Sequence, residues 1–291
     1  MKLRIVVALT LLLPCTTLWA ASSTSVSQEL DTEYGYTGGV TTRGGGVSID
    51  SVDEQSADVR YVVSPQLNKD LLLRLGVEWQ RFSFGVSDRA PVPNVLQQVS
   101  AVIGFDYQLA DEWLMRIEAQ PGIYSDFRDI TWRDVDMPVV IGAVYLASPD
   151  LQWVFGIRVD ARTEYPVLPA VGVRWKYSEA WTLDLMAPKP RLEYDVNEKL
   201  QLYTGAEFQF GTFAVGQDFG TPRGQPKLND AIVDYLEIHF GAGCSWKIIP
   251  NVTIDAEAGI MPFRSFDFFD PNVVFRSHDA PYGQLACHAR F

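Results

Sequence analysis

The sequence has few of the residues that build disulfide frameworks and metal centres. Its 291 residues include three cysteines and three histidines. Cys15 lies in a segment that we expect to be removed, which leaves only Cys244 and Cys287, too few for a disulfide framework. The histidines are scattered along the chain and offer no ligand cluster, so we expect neither a metal nor another cofactor.

Long apolar runs and basic charge are also scarce. After residue 21 no stretch reaches the roughly 18 uninterrupted apolar residues that indicate a membrane-spanning helix. The formal net charge is −12 at pH 7, which argues against a nucleic-acid partner. These two absences exclude helical membrane proteins and the common nucleic-acid-binding classes.

The first 21 residues have the pattern of a secretory signal peptide. Lys2 and Arg4 precede an apolar run over residues 5–13, and Ala20 and Ala21 resemble a small-residue cleavage site. Residues 22–40 are rich in Ser, Thr and Gly, and we expect them to be a periplasmic lead-in. Residues 41–291 are then assigned to a single domain.

Apolar and polar residues alternate along nearly all of this domain, as they do in half-exposed strands. In the stretch 95–109, for example, Val99, Ile103 and Phe105 share one face, while Asp106 and Gln108 lie on the other. Short turns, such as 111–112, 148–150 and 250–251, alternate with longer joins. This alternation of short turns with longer loops is typical of transmembrane β-barrels.

We predict an all-β fold, a transmembrane antiparallel up-and-down β-barrel of about 14 strands. The strands are expected at 41–52, 56–66, 71–84, 94–109, 113–125, 137–147, 151–162, 166–177, 181–187, 190–196, 199–215, 232–248, 251–264 and 281–291. The prolines between residues 187 and 190 either mark an outer turn between two short strands or kink a single strand. Twelve strands are therefore the alternative.

Three features favour a membrane barrel over a soluble one. The predicted strands are longer than the five or six residues usual in globular proteins. Tryptophans beside the short turns form an expected interfacial girdle, namely Trp113, Trp153, Trp181 and Trp246. A soluble barrel would also have to fill its centre with the apolar face, and about 14 strands enclose too wide a lumen for that.

The polar face is strongly charged and is expected to line the lumen. Its candidate residues are Arg60, Arg74, Glu78, Arg116, Glu118, Arg158, Asp160, Arg191, Glu193, Glu207, Glu237, His239, Asp255 and Glu257. Opposite charges two residues apart, such as Arg116 and Glu118, can meet on one face of a strand. The charges either pair to fill and stiffen the lumen or line an aqueous pathway that selects ions or solutes.

The chain ends on the alternating stretch "GQLACHARF" and resembles Gram-negative outer-membrane β-barrel proteins, in particular uncharacterised single-domain barrels of domain-of-unknown-function families. The resemblance implies that Leu285, Cys287, Ala289 and Phe291 form the signal for the barrel-assembly machinery. It also implies export to the cell outer membrane, where membrane lipid surrounds the barrel.

The expected function is a monomeric porin-like channel for passive passage of small solutes or ions. Acidic residues on the later strands favour a weak preference for cations. The alternative is a closed structural or surface-interaction barrel without conductance. A barrel hydrolase acting on lipids is disfavoured, because Ser277, His278 and Asp279 are consecutive and cannot aim at one point in an extended chain, so we expect no enzyme activity.

Overall fold

The computed structural model describes residues 26–291, and the predicted signal peptide, including Cys15, lies outside them. The described chain forms one closed sheet with three 3₁₀ turns, Trp132–Asp134, Thr221–Arg223 and Pro226–Leu228. The strands are β1 (Val26–Gly44), β2 (Val47–Asn68), β3 (Leu71–Phe84), β4 (Val95–Ala110), β5 (Trp113–Ala119), β6 (Gly122–Ser125), β7 (Val135–Asp136), β8 (Val139–Ser148), β9 (Leu151–Val159), β10 (Val167–Lys176), β11 (Trp181–Asp184), β12 (Arg191–Asp195), β13 (Leu200–Ala214), β14 (Ile232–Ile249), β15 (Val252–Phe268), β16 (Val273–Ser277) and β17 (Ala280–Arg290).

These segments make an antiparallel barrel of 14 spans. Three spans consist of two segments each, β5 with β6, β7 with β8, and β16 with β17. The barrel closes where β17 pairs with β1, in a register that runs from Glu29 opposite Arg290 to Thr37 opposite Tyr282. The predicted all-β fold of 14 strands is confirmed, and the region around residues 187–190 is a turn between two short strands.

The predicted start of the barrel is wrong. Residues 26–40, expected to be a lead-in, form most of β1, and the barrel closes against them rather than against 41–52. The first turn is Gly45-Gly46, where both residues have positive φ (54° and 78°) that suits glycine. The polar stretch 53–55 looks like a turn in the sequence, but it lies inside the continuous strand β2.

The connections divide the barrel into two ends. One end carries 69–70, 111–112, 149–150, 177–180, 196–199 and 250–251, and we call it the short-turn end. The other end carries 45–46, 85–94, 126–134, 160–166, 185–190, 215–231 and 269–272, and we call it the long-loop end. The longest loop, 215–231, contains two of the 3₁₀ turns.

The outward face of the wall is apolar. Phe105, Phe240, Ile260 and Leu285 each expose more than two fifths of their surface, and they occupy alternate strand positions whose neighbours point inward. Among the described residues, no helix is both long and apolar enough to cross a bilayer.

Candidate functional site

The barrel interior contains linked ion pairs along β2 to β5. Arg60 bridges two acids, Glu78 on the neighbouring strand and Glu118 two strands further on, at 2.5 Å from Glu118 Oε1. Arg74 lies 3.3 Å from the other oxygen of Glu118 and 3.3 Å from Glu29. Each arginine joins acids from two strands, so the charges stiffen this side of the lumen as a network.

A second set of ion pairs occupies the opposite side. Lys189, from the loop 185–190, reaches into the lumen and lies 2.5 Å from Glu33 and 3.0 Å from Glu207. Arg191 lies 3.3 Å from both Asp255 and Glu257. These contacts join β12 and β13 to β1 and β15 across the interior.

The expected pairing of charges within one strand is largely wrong. Among the arginine–acid pairs two residues apart within residues 26–291, only Arg158 and Asp160 form an ion pair, at 3.1 Å. Arg116 instead donates through two nitrogens to both oxygens of Asp106, at 2.7 Å each, and Glu193 pairs with Arg174 at 2.9 Å. Arg116 and Asp106 are directly opposed on adjacent strands, where residues are about 4.5–5.5 Å apart and closer than residues two apart on one strand. Arg174 reaches Glu193 across β11 and also pairs with Asp184, which is directly opposed to it.

A fully buried charge cluster lies nearer the long-loop end. Arg264 Nε lies 2.5 Å from Glu237, and Arg264 Nη2 lies 2.9 Å from Glu54. The Tyr235 hydroxyl reaches both acids, at 2.6 Å from Glu54 and 2.5 Å from Glu237. His239 contacts Glu237 through Nε2, which completes a cluster with almost no access to water.

Between this cluster and the long-loop end, the inward face of the barrel becomes apolar. We call the following residues the apolar plug: Val52, Phe82, Phe84, Ala90, Val92, Leu96, Tyr124, Phe213, Val215, Phe219, Leu228, Ala231, Val233, Tyr235, Phe266, Phe268, Val273 and Phe275. The charged lining that the sequence predicts therefore does not extend to this end of the lumen. Phe266 and Phe268, read from the sequence as an outer loop, lie at the end of β15 and are completely buried.

Three long loops are held over the apolar plug by buried polar groups. Arg223 donates from Nε to the carbonyl of Ala90 at 2.9 Å and from Nη1 to that of Phe219 at 2.7 Å. Asp126 accepts from the backbone N–H of Gly216 at 3.2 Å. Burial raises the pKa of the Asp126 carboxyl, while backbone donors oppose that shift. The loops 85–94, 126–134 and 215–231 thus close the long-loop end together.

The interior is open along β8 to β10. Gly142, Gly156 and Ala170 form one inward row across these strands, and a Cβ added at Gly142 or Gly156 would meet nothing closer than 3.7 Å. Leu146 and Leu168 also face inward, yet they are 44% and 50% exposed. At the short-turn end this space meets a polar cavity of about 230 Å³, lined in part by Gln152, Arg174, Thr182, Asp195 and Gln201.

The histidines and Ser277 do not form a nucleophile–base pair. Ser277 Oγ lies 2.6 Å from Thr42 Oγ1, whereas His278 Nδ1 lies 3.0 Å from the carbonyl of Pro262. His288 contacts Asp31 at 2.7 Å near the short-turn end. In residues 26–291 no group of three His, Cys, Asp or Glu side chains could hold a metal ion.

The other predicted residues lie as follows. Trp113 stacks on Tyr145 and Trp181 packs on Tyr194, both with ring centroids 4.8 Å apart at the short-turn end. Trp153 and Trp246 are 39% and 55% exposed on the outward face near the same end. Their role as an interfacial girdle stays a prediction.

The closing strand alternates as the sequence indicates from Ala280 to Cys287, but Ala289, expected to face lipid, is only 5% exposed, and Arg290 is exposed. Leu285 and Phe291 are exposed, and Phe291 exchanges two backbone hydrogen bonds of 2.8 Å with Gln28 of β1. Cys287 on β17 and Cys244 on β14 are free thiols on strands separated by β15. Recognition of Leu285, Cys287, Ala289 and Phe291 by an assembly machinery stays a prediction.

Several functional residues were missed from the sequence. Glu29 and Glu33 were assigned to the lead-in, and Lys189 stands between two prolines in a turn. Glu54 continues the inward parity of Asp58 and Arg60, so extending the alternation of that strand by one step would have found it. Arg264, Phe266 and Phe268 have the outward parity of β15 and turn inward only because the strand bulges between Ile260 and Phe263, which alternation alone does not predict.

Comparison with known proteins gives the following relations. No match was found among curated proteins. The chain is similar to an outer membrane channel from Pseudomonas putida F1, at 9% identity and a TM-score of 0.49, with 93% of this chain and 97% of that one covered. It is similar to the P. putida toluene transporter TodX, at 9% identity and a TM-score of 0.40, with 93% and 91% covered.

It is also similar to the NanC porin, at 10% identity and a TM-score of 0.38, with 89% of this chain and 98% of that one covered. A family model described as a domain of unknown function, DUF6268, matches residues 67–286. This range is well over half of the 291 residues and spans β3 to β17, all but the first two strands of the barrel. The chain therefore belongs to the DUF6268 family.

Proposed function

We propose that this protein is an outer-membrane channel through which small solutes or ions pass passively along the open side of the lumen, next to β8, β9 and β10. The long-loop end of this pathway is closed by the apolar plug, so the structure corresponds to the closed state of a gated channel. The same proposal takes the protein to work as a monomer.

The observation that carries this proposal is the uneven filling of the interior. The inward faces of β1 to β5 and β12 to β17 hold ion pairs that occupy the lumen. The row Gly142, Gly156 and Ala170 has no side chain larger than a methyl group, and the leucines beside it are solvent-accessible. Small residues along only one side of a charged lumen leave a path beside groups that can select solutes.

The location follows from the outward face. A closed barrel satisfies its backbone hydrogen bonds without water, and its exposed apolar side chains need lipid around them. The short-turn end, with its aromatic residues, then faces the periplasm, and the long-loop end faces the exterior. Export by the signal peptide and insertion by the barrel-assembly machinery, through Leu285 to Phe291, belong to the same proposal.

A closed structural barrel is the second candidate. The apolar plug and the fully buried cluster of Glu54, Glu237 and Arg264 favour it, because they leave no passage at the long-loop end. Under this alternative the ion pairs serve stability alone.

Single-channel recording of the refolded protein distinguishes the two candidates. Step-like currents in planar bilayers, brief and rare for a closed-state protein, are expected for the channel. The reversal potential is expected to show a weak preference for cations, because Arg60, Lys189 and Arg191 are each shared by two acids and the lumen therefore holds an excess of negative charge. Complete absence of steps in every salt, for the native chain and for variants with an opened plug, would favour the structural barrel.

A further inference from the structure

The wall of the barrel is not of even height. β11 and β12 have four and five residues, against ten in β10 and fifteen in β13 on either side. β11 pairs with β10 only from Arg174 to Lys176, and β12 pairs with β13 only from Gly205 downward to Gln201. The loop 185–190 therefore crosses the wall partway up, and no strand stands above it.

Both strands beside this gap have open edges. Asp160 N–H donates to Pro166 O, so the backbone groups of residue 166 point toward β9, whereas Leu185 N–H donates to Val173 O on the other side of β10. Because the direction alternates along a strand, the backbone groups of Val167, Pro169 and Val171 point, like those of Val173, away from β9 and toward the gap. Within the described chain these groups have no strand partner. Residues 167–171 are all exposed, and at about 3.3 Å per residue the open edge is about 16 Å long.

On the facing edge, the N–H groups of Ala206 and Phe208 donate to the carbonyls of Pro190 and Pro188, both at 2.9 Å. Beyond Phe208 the upper part of β13 leans inward, and its Ala214 meets Ser125 of β6. The floor of the gap is thus the loop 185–190, tied to β13 by these two bonds.

The gap also has a roof. Asp234 on β14 accepts from the Thr163 hydroxyl at 2.8 Å and from the Thr212 hydroxyl at 2.7 Å. These hydrogen bonds connect the loop 160–166, which precedes β10, to β13 and β14 across the gap. Floor, roof and two strand edges therefore enclose a window in the wall, which we call the lateral window.

The lining of the lateral window is apolar with one basic group. Phe208 and Phe210 are exposed on the β13 side, and Leu168 and Ala170 face inward on the β10 side. Arg158 extends from β9 into this space, with Cζ 5.3 Å from the Phe210 ring centroid. Since this guanidinium is already paired with Asp160 at 3.1 Å, the aromatic and aliphatic surface suits an apolar body that carries at most an uncharged polar end.

An open strand edge facing lipid is costly, because no water satisfies its backbone groups in the hydrocarbon layer. Such an edge is tolerated where it lines a water-filled cavity, and the row Gly142, Gly156 and Ala170 places open lumen directly behind this one. Pro169 further reduces the number of unpaired donors at the edge.

We propose that the lateral window is an exit or entry path between lumen and bilayer for apolar or amphipathic small molecules. The proposal rests on the proposed channel function and specifies its solute class. The path would let an apolar solute bypass the closed plug by moving sideways into the membrane. A strand from a partner protein is a poorer occupant, because Pro169 removes a ladder hydrogen bond in the middle of the open edge.

The test uses single-cysteine variants of the full chain in which the three native cysteines are replaced by alanine. A bimane label is placed at Ala170→Cys in the window and at Gly142→Cys, which lies in the same inward row behind the intact wall. Ala143→Cys, on the outward face next to Gly142, is the lipid-exposed reference. Each labelled protein, shown to be folded by its strand circular dichroism, is placed in nanodiscs with or without brominated acyl chains.

Bromolipid should quench the Ala170→Cys label at least half as strongly as the Ala143→Cys label and leave the Gly142→Cys label nearly unchanged. Equal weak quenching at Ala170→Cys and Gly142→Cys would overturn the window, and conductance steps from the same protein would leave the channel proposal standing. Quenching at Ala170→Cys without any conductance would support the window and count against the channel. If the Ala170→Cys label were shielded from bromolipid in protein purified from cells but quenched in refolded protein, a partner strand would occupy the edge, and the proposal would be overturned.

Discussion

Arg264 Nη2 lies 2.9 Å from Glu54 Oε2, and both side chains are closed off from solvent beneath the apolar plug. Arg264 also pairs with Glu237, so one cation is shared by two acids from β2 and β14. The pairing joins β2 to β14 and β15, which lie on the other side of the closing strands β1 and β17, at the level where the interior changes from charged to apolar. This cluster therefore supports the floor of the plug.

Replacing Arg264 with methionine should strongly destabilise the barrel. It leaves two buried carboxylates without their cation, and breaking a buried ion pair costs about 3–5 kcal/mol. Urea unfolding in lipid vesicles, followed by tryptophan fluorescence, measures the loss. Arg133→Met is the matched control, because Arg133 and Asp230 are 58% and 39% exposed while paired at 2.8 Å, and exposed pairs contribute about 0–1 kcal/mol. Equal losses in the two variants would contradict the role assigned to the cluster.

Replacing Phe84 with alanine should loosen the plug. Phe84 packs at 4.8 Å from the Phe266 ring centroid and 5.5 Å from that of Tyr235, and removal of a buried phenylalanine costs about 3–5 kcal/mol. Single-channel recording should show more frequent opening than in the native protein. Phe105→Ala, on the outward face of β4, removes the same side chain without touching the plug and should leave the opening frequency unchanged.

Replacing Arg223 with alanine should release the loop 215–231. The guanidinium holds the carbonyls of Ala90 and Phe219, and it stacks 4.2 Å from the Phe219 ring centroid. Limited trypsin digestion should then cut at Lys227 faster than in the native protein, because the loop opens more often. Arg128→Ala is the control at the same end, since Arg128 makes one long side-chain contact of 3.3 Å to Asn94. Unchanged cleavage in Arg223→Ala would mean that the loop is held by the plug alone.

Replacing Lys189 with glutamine should strengthen cation preference. Lys189 lies between Glu33 and Glu207, and its loss leaves two acids in the lumen without their cation. Reversal potentials under a salt gradient should shift toward the cation equilibrium potential. Lys199→Gln, in an exposed turn at the short-turn end, changes the net charge equally and should shift the potential less. A shift toward anions in Lys189→Gln would refute this assignment.

Much of the fold could be predicted from the sequence, because outward residues of a membrane barrel alternate strictly with inward ones. β4 illustrates this, since Val99, Ile103 and Phe105 lie outside as their parity predicts. The same rule failed for β1, where Tyr34 and Tyr36 face outward among serines, threonines and glycines. Polar composition there looks like a linker, and only the pairing with β2 and β17 identifies a strand.

The interior could be predicted in composition but not in connectivity. Alternation places Arg191 and Glu193 on one face, yet Arg191 pairs with Asp255 and Glu257 across the lumen. Partners on distant strands depend on barrel closure, which no local pattern contains. The lateral window depends on where β11 stops, and the sequence reveals only that prolines follow it.

The central claim is that the barrel is a channel closed at its long-loop end by the plug and the loops above it. The most direct test compares single-channel currents of the native chain with those of a variant in which residues 217–229 are replaced by a short Gly-Ser linker. That deletion removes Phe219, Arg223 and Leu228 from the closure while leaving every strand intact. Rare openings in the native protein and sustained step-like currents in the variant are predicted. A folded variant that conducts no more than the native chain would contradict the claim.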